Sequence, residues 1–379
     1  MIKIKNTLLP PFPRLFCNRH SNIANKPKTL NKIEAWQIHN YGDLNELQLS
    51  QMRTPVITDP DQILIKVEAA SLNPIDKAMI GGYGRRIFNL FRENNLEFPL
   101  TLGRDFCGEI VEKGHNVGRS YQLGDKVYGF IPLHKQGSHS QFALVNQNHI
   151  CHKPSHLSHV EAASIPYAAM TAYGGLYIAG GLLMKDVGRC QILLLGASGG
   201  VGTMAVQLLK AQKAKVVSTC SADAVPLVKA LGADNVFDYH QANYESEVAA
   251  RGRYDVILDC CKFGFENLPK SWKYTNFVNL NSPLLVNTDE QGLILGLTTS
   301  AGNLLSSNIF SILEGRSIRW GFFVPSTSGF QFIDKLVKRQ RIKPVIHKVF
   351  KFHELPKGLE MLSAGHLRGK IVVDFGENL

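Results

Sequence analysis

No apolar run in this 379-residue chain reaches the roughly 18 residues of a membrane-spanning helix. None of the seven cysteines, at 17, 107, 151, 190, 220, 260 and 261, stands in a CxxC pair. An odd, scattered set argues against a disulfide framework and for reduced thiols in an intracellular compartment. Cys260 and Cys261 are adjacent, which disfavours a mutual bridge, and all seven read as small buried hydrophobes. The chain also lacks an internal repeat and a low-complexity tract. Its first 33 residues lack Asp and Glu altogether, yet they hold Lys3, Lys5, Arg14, Arg19, Lys26, Lys28 and Lys32. A basic, acid-free start without a compact apolar core reads as a mitochondrial transit peptide, the alternative being a disordered basic arm that stays attached. Subtracting these seven charges from the formal +11 leaves +4 for the remainder. That near balance removes the main argument for a nucleic-acid partner.

What is present reads as two styles of structure. Hydrophobic residues make up 44% of the chain, enough for substantial cores and more than one domain. From Glu34 onward, "EAWQIHNYG", "LNELQLSQM", "DQILIKVEAASLN", "FPLTLGRDFCGEIVEKG" and "GDKVYGFIP" are short β-rich runs separated by turn residues. They predict a partly closed β-barrel-like domain. At Ser158 the period turns helical, with a capping box to Glu161. Strands and helices then alternate from "QILLLGA" through "KVVSTC", "NVFDY" and "YDVILDCC" to "TNFVNLN", which predicts a parallel sheet with crossover helices. The closing "KVFKFHELPKGLEMLSAGHLRGKIVVDFG" reads as strand, helix, strand and a return to the first domain. The expected boundaries are 1–33, 34–165, 166–320 and 321–379.

The sharpest local signal is "ILLLGASGGVGTMAVQLLKAQ". An apolar strand stops at Gly196, Ser198, Gly199, Gly200 and Gly202, and a helix with an apolar face follows. Glycines permit the tight turn and let backbone approach a pyrophosphate, which then meets the helix N-terminus. About 20 residues on, an NAD site usually ends its second strand in a carboxylate. Here that strand ends at Ser221, whose hydroxyl can donate to a 2′-phosphate, so the expected cofactor is NADPH. Asp223 points the other way: turned inward, it would favour NADH.

These motifs, with "ASLNPIDKAMIGGYG", "FPLTLGRDFCGEI", "AASIPYAAMTAY", "KALGADNVFDY" and "GHLRGKIVV", resemble the medium-chain dehydrogenase/reductase superfamily in its zinc-free quinone oxidoreductase branch. The resemblance runs from about residue 34 to the end. It implies an α/β fold: a GroES-like, partly closed β-barrel catalytic domain plus a Rossmann doubly wound parallel sheet. "NPIDKAMIGGYG", "RWGFF" and "GHLRGK" resemble a mitochondrial group within that branch. The resemblance then implies an NADPH-dependent matrix reductase of a quinone or related activated carbonyl or alkene, linked to ubiquinone biosynthesis and respiratory function. Carried over position by position, Ser198, Gly199, Gly200 and Val201 fall at the pyrophosphate, and Ser221 and Tyr239 at the 2′-phosphate. Leu280 falls on the nicotinamide side, and Gly321, Phe323, His366, Leu367 and Arg368 come from the closing segments. Implied partners are a small quinone-like molecule, mitochondrial membrane proteins at their periphery, and a second copy of the chain. An enoyl-thioester reductase of mitochondrial fatty-acid synthesis and a non-catalytic NADPH-binding scaffold are the alternatives.

No metal site is expected. Zinc relatives carry Cys where this chain has Asn73 and GHE where it has Gly103-Arg104-Asp105, so the ligand set of a tetrahedral site is missing. Asn73 is then the expected catalytic residue, a hydrogen-bond donor beside the nicotinamide. Tyr83 and Asp76 are weaker candidates, Asp76 reading better as a loop-capping carboxylate. No side chain can be named as proton donor, which leaves solvent.

Overall fold

The computed structural model describes residues 32–92 and 96–376. The basic leader lies outside the described residues up to Asn31, and Cys17 with it. The first domain contains strands β1 (Ile33–Ile38), β2 (Leu47–Met52), β3 (Gln62–Leu72), β4 (Leu100–Thr101), β5 (Asp105–Lys113), β6 (Lys126–Phe130), β7 (Phe142–Asn146) and β8 (Ile150–His152). β1 lies between β2 and β4, and β3 is paired antiparallel with both β5 and β7. This is the expected partly closed barrel.

The second domain holds β9 (Gln191–Leu195), β10 (Lys215–Cys220), β11 (Asn235–Asp238), β12 (Tyr254–Asp259), β13 (Tyr274–Asn279) and β14 (Ser317–Trp320). They form a parallel sheet in the order β11-β10-β9-β12-β13-β14. β9 runs between β10 and β12, so the strand order reverses there, and a doubly wound sheet opens its binding crevice at such a switch point. The chain then returns through β15 (Ile346–Lys351) and β16 (Lys370–Asp374), and β16 pairs antiparallel with β3. The helix Thr327–Lys338 sends Phe330, Ile333 and Val337 into the core shared with the helices Pro166–Tyr173 and Gly200–Ala211.

Strand alternation explains how the domains join. Successive side chains of a strand face opposite ways. Ala69, Cys107 and Val372 enter the core on the sheet's cofactor-domain side, while Ala70, Leu72, Phe106, Ile371 and Val373 enter the barrel core. Three neighbouring strands therefore form the seam, and they bring Ser71, Asn73, Asp105 and Lys370 together at their ends. The capping box at Ser158 and Glu161 forms as read, with Glu161 N–H donating to Ser158 Oγ at 3.1 Å.

Periodicity does not reveal the 21-residue helix Leu293–Leu313. Its Gly296 and Ser300 are buried, whereas Ile294, Leu297, Leu305 and Ile309 are exposed. The usual apolar-inside pattern is inverted because a Cβ on Gly296 would lie 2.4 Å from Thr288 Cα, and the helix packs by its small residues.

One barrel residue predicts a pH dependence of stability. His149 stacks near Phe130 with its Nδ1 unpartnered, and burial pulls its pKa down to about 4. The unfolded chain takes up that proton near pH 6.5 and the folded chain does not, so stability falls as pH drops from about 6.5 to about 4. His139, buried and shifted in the same direction, adds to the slope. Urea midpoints measured from pH 4 to 7 should show this loss. His149→Phe should flatten it, by up to about 1.4 kcal/mol per pH unit; an unchanged slope would exclude His149 as its source.

Candidate active site

The dinucleotide end of the site is built from backbone. β9 is buried from Ile192 to Leu195, and the chain turns at Gly196, with φ +77. A Cβ on Gly202 would lie 2.4 Å from the Gly196 carbonyl oxygen and 2.6 Å from Ala197 Cα. Only glycine lets the helix Gly200–Ala211 begin this close to the strand. Gly199 caps that helix with no side-chain hydrogen bond, so its first N–H groups stay open to an anion. The turn faces a cleft of about 440 Å³ between the domains. A concave site with bare backbone amides and no Cβ in the way fits the pyrophosphate of a dinucleotide.

The cleft gathers most of the predicted residues. Asn73, Ser198, Gly199, Gly200, Val201, Ser221, Tyr239, His366, Leu367 and Arg368 all line it. Leu280, Gly321 and Phe323 are not among its lining residues. A Cβ on Gly321 would meet the Leu280 side chain at 2.8 Å, so these two pack on each other, and Phe323 stacks on Tyr167 with ring centres 4.5 Å apart. Tyr83 does not line the cleft either.

At the second-strand end, Ser221 is not a free donor. Its hydroxyl donates to Asp223 Oδ1 at 2.7 Å and accepts from the Arg368 guanidinium at 2.7 Å. Arg368 also holds Asp223 directly, from Nε at 3.0 Å and from Nη2 at 2.7 Å. These bonds keep the Asp223 carboxyl below its ordinary pKa, Ser221 contributing most and Arg368 next. Ser221 thus links a carboxylate and a guanidinium. Arg368 carries the charge, and Asp223 competes for it.

At the opposite end, Pro74 starts the helix Pro74–Ile80 and Asn73 is its N-cap. Asp76 does the capping: it accepts from Asn73 N–H at 2.8 Å and from Gly103 N–H at 3.0 Å. This leaves the Asn73 side chain for other work. Its Nδ2 donates to Asp105 Oδ2 at 2.8 Å, and its Oδ1 accepts from Lys370 Nζ. Lys370 also donates to the Leu72 carbonyl at 3.0 Å and stands 3.5 Å from Asp105. Ser71 Oγ and the Tyr167 N–H complete the Asp105 shell. Burial pushes the Asp105 pKa up and the Lys370 pKa down. Lys370 lines the cleft and is the functional residue that the sequence reading passed over. The available signal was a lysine opening the otherwise apolar, buried strand "KIVVD".

Arg104 is fully buried. It donates to the carbonyls of Pro132 at 3.0 Å and Lys135 at 2.9 Å, and burial lowers its pKa to about 10. Among the described residues no group of three His, Cys, Asp or Glu is placed to hold a metal ion. Cys220, Cys260 and Cys261 line the cleft, but burial raises the thiols of Cys220 to about 11 and Cys261 to about 12. They stay protonated and are poor nucleophiles near neutral pH.

Comparisons with known proteins agree with this geometry. Residues 59–176 match the alcohol dehydrogenase GroES-like domain, and residues 231–373 match the zinc-binding dehydrogenase family. The mitochondrial NAD(P)H oxidoreductase RTN4IP1 of Drosophila melanogaster is 42% identical, covering 92% of this chain and 88% of that protein. The Homo sapiens protein of the same name is 38% identical, covering 90% and 89%. The structure of the quinone oxidoreductase from Coxiella burnetii superposes with a TM-score of 0.71 at 27% identity, covering 91% of this chain and all of that one. With a glycine-turn dinucleotide cleft, a GroES-like barrel and relatives aligned over nine-tenths of its length, the chain belongs to the medium-chain dehydrogenase/reductase superfamily, close to the NAD(P)H oxidoreductases RTN4IP1.

Proposed function

We propose that the protein is a mitochondrial NADPH-dependent reductase of a quinone or a related activated carbonyl or alkene, working without zinc. The observation that carries this is the polar end of the cleft. It offers hydrogen-bond donors and one buried cation, and among the described residues no zinc-type ligand set. The Ser198–Gly202 turn would hold the pyrophosphate, and Arg368 with Tyr239 the 2′-phosphate. Asn73 would donate to the acceptor oxygen as charge develops on it. Bound NADPH supplies a hydride, so that with one proton from water a quinone leaves as its hydroquinone. A quinone is already electrophilic, and its reduction requires less polarisation than a simple ketone would. The Arg104 guanidinium, lying where a ligand would be needed, disfavours a second cation there. The names of the relatives support a mitochondrial location, and the resemblance extends the reading to the matrix and to ubiquinone biosynthesis.

The test is turnover by residues 32–379 with NADPH and either 1,4-benzoquinone or crotonyl-CoA, following nicotinamide absorbance. Quinone reduction with no crotonyl-CoA reduction supports the proposal. The reverse establishes an enoyl-thioester reductase, and NADPH binding with neither activity establishes a binding protein. Elemental analysis of the same preparation should find far less than one zinc per chain, with rates unchanged by a chelator. One retained zinc whose removal abolishes activity would overturn the zinc-free reading.

A further inference from the structure

Lys370 is the one buried cation lining the cleft among the described residues, and its ammonium has three partners within reach: Leu72 O, Asn73 Oδ1 and Asp105 Oδ2. Its methylene stem lies against the dinucleotide turn, since a Cβ on Gly200 would fall 2.9 Å from Lys370 Cδ. The preceding residue is tied to the same turn, Gly369 N–H donating to the Ser198 carbonyl at 2.9 Å. Lys370 thus connects the glycine turn of one domain to Asn73 of the other. Stability alone does not call for a charge here: a buried ion pair is often no more stabilising than apolar residues of the same volume.

Hydrogen-bond accounting at Asn73 suggests what the pair does. A side-chain amide has an acceptor oxygen and two donor hydrogens. Lys370 takes the oxygen and Asp105 takes one hydrogen. The amide cannot turn over while both remain charged, because a carbonyl would then face the Asp105 carboxylate and an N–H would face the ammonium. One hydrogen is left, and Asn73 lines the cleft. Without the ammonium, the buried Asp105 is driven to take up a proton. A protonated carboxyl can donate to a carbonyl, and either orientation of the amide becomes acceptable.

We propose that Lys370 is the positioning residue of this site: paired with Asp105, it locks the Asn73 amide so that the remaining N–H is presented to the oxygen of the acceptor. This rests on the reductase reading above. The charge developing on that oxygen after hydride transfer is stabilised by a donor already in place, which costs no reorganisation during the reaction.

The test compares Lys370→Met, the paired Lys370→Met with Asp105→Asn, and Asn73→Ala. NADPH dissociation constants, kcat with 1,4-benzoquinone and thermal midpoints are measured for each. Lys370→Met alone leaves Asp105 uncompensated and is expected to lose stability. The paired variant removes both charges and should recover most of it. Its kcat should stay about 100–1,000-fold below wild type, the range set by loss of an aligned oxyanion donor, with the NADPH dissociation constant within about threefold. Adding Asn73→Ala to it should cost no further factor, since the two act as one unit. Recovery of kcat together with stability would make Lys370 merely structural. A dissociation constant that rises as far as kcat falls would make it a cofactor contact. Either result overturns the inference, as does a multiplicative loss on adding Asn73→Ala. If the wild-type protein reduces no quinone, the functional reading fails by itself. Lys370 is then read in selectively ¹⁵N-asparagine-labelled protein, with Asn73→Ala identifying the resonance. Solvent exchange of the Asn73 amide hydrogens should quicken at least about tenfold in the paired variant; an unchanged rate overturns the inference.

Discussion

Gly202→Val should abolish binding of NADPH and NADH alike, each dissociation constant rising by more than about 100-fold. The added Cβ would sit 2.4 Å from the Gly196 carbonyl oxygen and 2.6 Å from Ala197 Cα, both backbone atoms. Neither can swing aside as a side chain could, so the strand–helix turn must open. The pyrophosphate cradle common to both cofactors opens with it. Gly200→Val is the informative contrast. Its one tight contact would be Lys370 Cδ, at 2.9 Å, the movable stem of a side chain, the Gly369 carbonyl oxygen lying at an ordinary 3.6 Å. It should weaken both cofactors about tenfold, the scale of one or two impaired phosphate contacts, and disturb Asn73 through Lys370. Fluorescence titration of each cofactor measures these effects, and a thermal midpoint for each variant separates lost binding from lost fold. Near wild-type binding by a folded Gly202→Val protein would mean that the turn is not the cofactor's cradle.

The second large effect concerns the choice between cofactors. Arg368→Ala should weaken NADPH about 10–100-fold, the worth of a hydrogen bond to a charged phosphate, and NADH by less than about threefold. The guanidinium lies across the end of the second strand, where it bonds both Ser221 and Asp223. A 2′-phosphate carries more charge than the Asp223 carboxylate and can displace it from Arg368. Such a displacement would give a modest preference for NADPH. Asp223→Asn removes the competitor and should strengthen NADPH about 3–10-fold while weakening NADH, whose ribose hydroxyls lose a carboxylate acceptor. Ser221→Asp should act in the opposite direction, adding a second carboxylate and shifting the ratio toward NADH. Dissociation constants of both cofactors for wild type and the three variants decide the matter. Equal losses for both cofactors in Arg368→Ala would show that Arg368 does not read the 2′-phosphate. A wild-type preference for NADH would show that Asp223 wins the competition.

Much of this protein is legible from its chain because local physics encodes it. Strand-to-helix alternation from Gln191 onward follows from hydrophobic period and turn chemistry, which act over a few residues. The glycine turn is legible for the same reason: its tight spacing is a demand of backbone geometry within one segment. The start at Ser158 and the capping role of Asp76 are likewise fixed within three residues.

Tertiary structure alone decided the rest. Asn73 and Lys370 stand 297 positions apart and meet only because β16 pairs antiparallel with β3. Arg368 reaches Asp223 across 145 positions, and Ser221 links the two charges. Leu280 packs against Gly321, and Phe323 stacks on Tyr167, contacts between separate segments that no local pattern encodes. The helix Leu293–Leu313 packs its glycine and serine inward, so its hydrophobic pattern points away from the body it rests on. In each case the deciding energy is a contact between distant segments, a charge pairing or a close approach of backbone, and such contacts exist only once the sheet order has placed the segments side by side.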